Sequence, residues 1–129
     1  MFSATSAFSS FSVDDLDAAK TFYGTALGLT VTDGDMGTLR ITLPGGAELF
    51  VYPKENHEPA SFTILNFGVD DVETAVDQLN AAGVVTKIYD GSSLGGELGT
   101  DEKGIMRGHG PEIAWFKDPA GNVLSVMKV

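Results

Sequence analysis

The sequence predicts an α+β fold built from one module written twice, each module running strand, helix, strand, strand, strand (βαβββ). Three observations carry this. Phe11-Ser12-Val13-Asp14-Asp15 recurs as Phe67-Gly68-Val69-Asp70-Asp71. Each copy closes an alternating apolar run and opens apolar positions at helical spacing: Leu16, Ala19, Phe22, Tyr23 and Ala26 in the first, Val72, Ala75, Val76 and Leu79 in the second. Each helical pattern stops at a glycine, Gly28 or Gly83, and a strand-like run follows, Leu29 to Thr32 or Val84 to Tyr89.

With 129 residues the chain can bury one ordinary core, so the halves are expected to be modules of a single domain, about 5–53 and about 61–129. A hydrophobic content of 43% and a charged content of 20% are those of a globular protein, and no apolar run approaches membrane-spanning length. The first dozen residues lack the basic start and continuous apolar stretch of a signal peptide. The absence of cysteine fits a reducing compartment, and a cytoplasmic location is expected. Eighteen acidic residues against eight basic ones give a formal charge of −10, which repels phosphate backbones, so neither nucleic acid nor a membrane surface is expected as a partner.

Alternation through Ala7 to Val13 sends Phe11 and Val13 to one face of the first strand and Phe8, Ser10 and Ser12 to the other. Asp14 or Asp15 is the expected N-cap of the first helix, and Asp70 with Glu73 has the spacing of a capping-box variant before the second. Leu29 to Asp33, a tight turn at Gly34, Thr38 to Leu43, the break Pro44-Gly45-Gly46 and Ala47 to Tyr52 complete the first module. Pro53 to Ala60 reads as the link, with His57 a solvated loop residue. Asp90 to Gly110 is glycine-rich, aperiodic and long for a connection in a compact domain, as functional covers are. The chain closes with a hairpin, Ile113 to Lys117, then Asp118-Pro119-Ala120-Gly121 as a type I turn, then Asn122 to Met127. Trp115 and Phe116 must point to opposite faces. Gly45-Gly46 and Gly95-Gly96 lack the strand, helix and lysine context of a phosphate loop.

The two modules, their F-x-V-D-D openings and the ending Ala-Trp-Phe-Lys-Asp-Pro-Ala-Gly-Asn-Val-Leu-Ser resemble the vicinal oxygen chelate superfamily, which includes glyoxalase I, extradiol dioxygenases, methylmalonyl-CoA epimerase, and the bleomycin and fosfomycin resistance proteins. The resemblance implies a cupped mixed sheet with helices on the convex side, a ligand cavity built from both modules, and a homodimer. It also implies four inward positions that hold a metal in metal-dependent members. Counted from the V-D-D and D-P-x-G motifs, these fall on Phe8, Glu48, Ile64 and Ser125, of which Glu48 alone can ligate in the family's manner. No metal and no other cofactor is therefore expected.

Residues two apart from those positions share their face, which predicts a small-molecule lining of Phe8, Ser10, Glu48, Phe50, Tyr52, Phe62, Ile64, Asn66, Val123, Ser125 and Met127. The expected ligand is aromatic or cationic. A carboxylate among Phe8, Phe50 and Ile64 is costly to ionise and should have a raised pKa, unless a hydroxyl, Asn66 or a basic group supports it. That makes Glu48 the candidate general base of an alternative reading, a lyase or isomerase, with or without a metal site rebuilt from His109. Asp101, Arg107 and His109 are the candidate lid residues, with Arg107 a possible clamp for an anionic group.

Overall fold

The computed structural model describes residues 1–89, 99–108 and 110–129, and its chain divides into two compact units, Met1–Glu58 and Pro59–Val129. In the first unit β1 (Ser9–Val13) is followed by α1 (Leu16–Thr21), then β2 (Thr30–Asp33), β3 (Leu39–Thr42) and β4 (Glu48–Pro53). The sheet order is β1-β4-β3-β2, with β1 parallel to β4 and the other pairs antiparallel. In the second unit β5 (Thr63–Val69) and α2 (Val72–Ala81) precede β6 (Ile105–Met106), β7 (Ile113–Lys117) and β8 (Val123–Lys128). Its order, β5-β8-β7-β6, repeats the first, again with one parallel pair.

Each helix begins where a carboxylate satisfies backbone N–H groups that the first turn cannot. Asp15 accepts from the backbone N–H of Ala18 at 3.1 Å. Asp71 accepts from the N–H groups of Glu73 and Thr74 and from the Thr74 hydroxyl. The Thr74 hydroxyl and backbone hold the Asp71 carboxyl below its ordinary range. The cap is thus Asp71, not the Asp70 that the Glu73 spacing suggested. α1 widens into a π turn over Phe22–Ala26, which carries the fully buried Tyr23 against the rings of Phe11 and Phe22.

The helix-side face of the first sheet is apolar: Val13, Leu39, Ile41, Leu49 and Val51 are all buried, with Ala19 and Tyr23 from the helical segment. In the second unit α2 packs on β7 and β8, burying Val72, Val76 and Leu79 with Ala114, Phe116, Leu124 and Val126. At about 25 cal/mol per Å² of apolar surface removed from water, this burial is the dominant stabilising term in each unit.

Two expectations need correction here. Val84 to Tyr89 alternates in burial, Val84 and Thr86 inward, yet forms no strand. The edge position instead goes to β6, inside the stretch expected to be loop. Residues 86–89 are tied to 100–104 by side chains: the Thr86 hydroxyl donates to the Lys103 carbonyl at 2.7 Å, and the Thr100 hydroxyl donates to the Tyr89 carbonyl at 2.5 Å.

Candidate functional site

The ladder fixes which side chains share the faces away from the helices. In the first unit Ser10 pairs with Phe50, which pairs with Arg40, and Ser12 pairs with Tyr52. Glu48 lies opposite Thr42 one row away. Ser10, Glu48, Phe50 and Tyr52 are therefore on one face, and Phe8, just before β1, joins them with its ring 4.8 Å from that of Phe50. The apolar members stay partly open: Phe8 is 63% and Tyr52 39% exposed.

Glu48 has the partner that the conditional expectation required, and it is Arg40. The Arg40 Nε–H group lies 3.1 Å from Glu48 Oε2, with both side chains nearly half exposed, and the same guanidinium sits 5.3 Å from the centroid of Phe50. Sequence reading missed Arg40, although a signal was present. Counting outward from the Pro44-Gly45-Gly46 turn sets Thr42 against Glu48 and Arg40 against Phe50, so the period-two rule already places all of them on one face. His57 is likewise not simply solvated: it is half-buried, with Nδ1 2.7 Å from the Ser12 hydroxyl.

In the second unit Asn66, Ser125 and Trp115 form one row. Ser125 is fully buried and its hydroxyl donates to Asn66 Oδ1, which fixes the orientation of that amide. The Trp115 indole N–H donates to the Thr63 hydroxyl at 3.1 Å, and Tyr89 meets the ring edge-on at 5.4 Å. Trp115 thus belongs to the Ser125 face and Phe116 to the core under α2. Met127 shares the Ser125 face, opposite Gly68 and Ile113.

Phe62 and Ile64 do not follow the count. Thr63 pairs with Val123 while Leu65 pairs with Leu124, so Ile64 is the extra residue of a β-bulge. The bulge places Thr63 on the Val123 and Trp115 face, and the expectation that Phe62, Ile64 and Asn66 share one face by simple alternation is overturned. Phe62 is 68% exposed.

The lid residues also sit elsewhere. Asp101 caps its own turn, its carboxylate accepting from the backbone N–H groups of Lys103 and Ile105 at 2.9 Å each. Burial works to raise its pKa, but those two N–H groups and Arg107 outweigh it and hold the carboxyl below the usual range. Arg107 pairs with Asp101, with Glu112 and with Glu73 of α2, and these carboxylates, Asp101 first, raise its pKa. Lys103 reaches Asp77 and Glu73 at 2.9 and 3.1 Å, which raises its pKa too. Because α2 lies on the opposite side of the sheet from Trp115 and Ser125, Asp101 and Arg107 engage the helix side rather than covering the Ser125 face. His109 and residues 90–98, the rest of the expected cover, lie outside the described residues.

Comparison with known proteins agrees with this architecture. The sequence model of the Glyoxalase/Bleomycin resistance protein/Dioxygenase superfamily matches residues 7–126, and the chain belongs to that superfamily. Among solved structures, a superfamily member from Sphaerobacter thermophilus aligns with a TM-score of 0.70 at 19% identity, covering 98% of each chain. A genomically encoded fosfomycin resistance protein from Listeria monocytogenes aligns with a TM-score of 0.70 at 12% identity, over 100% of this chain and 95% of that one. A glyoxalase/bleomycin resistance protein from a Streptomyces species reaches 25% identity and a TM-score of 0.63, over 93% and 96%. The curated proteins contain no match.

The superfamily's divalent metal does not fit the side chains at its four positions. Phe8 and Ile64 offer no donor, the Ser125 hydroxyl is buried and committed to Asn66, and Glu48 is held by a guanidinium. Hard divalent ions need several oxygen or nitrogen donors in one place. Among the described residues no three His, Asp or Glu side chains come together in a metal-holding group, and no helix is long and apolar enough to cross a membrane.

Proposed function

We propose that this chain is a small-molecule-binding member of the superfamily that holds its ligand on a sheet face turned away from the helices, without a metal. The observation that carries the proposal is the row of Phe8, Phe50 and Tyr52 on one face of the first unit, all at least partly exposed. Aromatic side chains bury much area at low conformational cost, so leaving three of them open on a single strand-supported face is unfavourable unless something covers them. Asn66, positioned by Ser125, and Trp115, locked by Thr63 and Tyr89, offer the second unit's counterpart: a fixed polar group beside a fixed ring.

The alternative reading, with Glu48 as general base, is disfavoured by its ion pair. Its carboxylate faces the Arg40 guanidinium at 3.1 Å, and a general base needs that oxygen turned to the substrate proton it removes. A thermal-shift screen of aromatic compounds at millimolar concentration, followed by calorimetry on any that raise Tm, tests the proposal. Saturable binding that is lost in Phe50→Ala supports it. A panel of aromatic acids, amines and neutral rings that all leave Tm unmoved defeats it.

A further inference from the structure

We propose that Arg40 is the specificity-determining residue of the ligand face and selects an oxyanion, a carboxylate or a phosphonate, on an aromatic or otherwise apolar ligand. This deepens the binding reading above and rests on it. It also replaces the cationic ligand expected from the sequence with an anionic one.

Arg40 is the one Lys or Arg that the four strands of its sheet carry among the described residues. Its neighbours across the ladder are Thr32 on one side and Phe50 on the other, so it stands in the middle of the sheet face rather than at its margin. Two contacts fix it. Glu48 forms an ion pair with it, Oε2 lying 3.1 Å from Nε, and the guanidinium lies over the Phe50 ring at 5.3 Å, where the ring's negative face attracts a cation. A guanidinium has five N–H donors in a rigid fork, and Glu48 meets it at Nε. The outer Nη groups are the ones whose geometry matches two oxygens of a carboxylate or phosphonate.

Magnitude favours recognition over a purely structural role. With the Arg40 side chain 45% and the Glu48 side chain 46% exposed, the pair is a surface ion pair, and such pairs contribute about 0–1 kcal/mol to stability. An aromatic-stacked guanidinium beside the open rings of Phe8 and Tyr52 therefore does little for the fold. It has instead the composition of a ligand site, an apolar lining with one charged group that fixes orientation. The position is also informative. Glu48, in the same face, has a cationic side chain against its carboxylate. The positive charge that attracts an oxyanion is supplied by the chain itself.

A cationic-ligand reading makes Glu48 the anchor and treats Arg40 as its competitor. The two readings predict opposite signs for one substitution. Binding is measured by calorimetry at low ionic strength with benzoate, phenylphosphonate, benzylamine and benzyl alcohol as probes, on the wild type, Arg40→Gln, Arg40→Lys and Glu48→Gln, with circular dichroism confirming that each variant folds.

The expected result is that benzoate or phenylphosphonate binds more tightly than benzyl alcohol, and that Arg40→Gln weakens it by about 10- to 100-fold. Arg40→Lys should recover only part of the loss, because it keeps the charge without the fork. Glu48→Gln should strengthen oxyanion binding about 3- to 10-fold by freeing the guanidinium. The relative affinity of the two acids identifies the oxyanion. Tighter binding of benzylamine with loss in Glu48→Gln overturns the inference, as does acid binding that Arg40→Gln leaves unchanged. In both of those cases the ligand-binding reading survives, whereas failure of all four probes in every variant overturns both.

Discussion

Gly104 has φ of +89°, and a β-carbon placed on it would lie 1.9 Å from the carbonyl oxygen of Thr86. The backbone conformation and the close approach each demand glycine. Gly104→Ala is therefore expected to lower stability by more than about 2 kcal/mol, measured by urea denaturation, since backbone must move to accept the methyl group. Asp101, three residues earlier, offers a pH readout of the same turn. Its folded pKa is depressed, so its contribution is present above the unfolded value of about 3.9 and is lost as pH falls through the lower folded value. Asp101→Asn is expected to cost about 1 kcal/mol at neutral pH. The gap from wild type should close on acidification below about pH 4, in denaturation curves collected across that range.

At the scale of elements, the β7–β8 hairpin shows how much a turn can specify. The Asp118 carboxylate accepts from the backbone N–H groups of Ala120 and Asn122 at 2.9 Å and from the Asn122 amide at 3.0 Å, while Gly121 N–H closes the turn onto the Asp118 carbonyl. Both side chains are buried. Asp118→Ala strands those donors, and a loss of about 2–3 kcal/mol in chemical denaturation is expected. The loop at Asp101 makes the same four backbone contacts: Asp101 N–H to the Ile105 carbonyl, Gly104 N–H to the Asp101 carbonyl, and Lys103 and Ile105 N–H to the carboxylate. The type I turn was legible because Asp-Pro-x-Gly is followed at once by alternating apolar residues. The second loop was not, because Asp-Glu-Lys-Gly reads as surface charge until its partner strand, only two residues long, is known. The Ile64 bulge was hidden for a related reason. Alternation within β5 runs unbroken in the sequence, and only pairing with β8 reveals that Thr63 and Leu65 face opposite ways. The faces of β1 and β4 were legible, since no bulge interrupts the alternation within either strand.

For the whole molecule, 18 acidic residues against 8 basic ones dominate the long-range field. Raising ionic strength from about 0.01 to 0.15 M shortens the screening length from about 30 to 8 Å, which weakens self-repulsion and the exposed pairs of Lys103 and Arg107 together. With a net charge of −10 the repulsion outweighs the seven ion-pair contacts among the described residues, whose side chains are mostly well exposed. Tm is expected to rise with salt over that range in a scanning calorimetry series, and a fall would show that the pairs on α2 matter more than their exposure suggests. The repeated opening motif made the two-module plan readable because repetition survives in sequence even where chemistry has drifted. The face of Phe8, Phe50 and Tyr52 was only half readable, since its aromatic residues obey a period within one strand while the Arg40–Glu48 pair joins two strands across a turn.

Trp115 is the chain's single tryptophan, and its indole is held by Thr63 and Tyr89 within residues 59–129. Its emission therefore watches one half of a duplicated architecture while far-UV circular dichroism watches both. Followed side by side through a denaturant titration, the two signals report whether the repeats melt together or in turn. Coincident midpoints would show that duplication has produced a single cooperative body, and an early change in dichroism with Trp115 still native would show that residues 1–58 yield first.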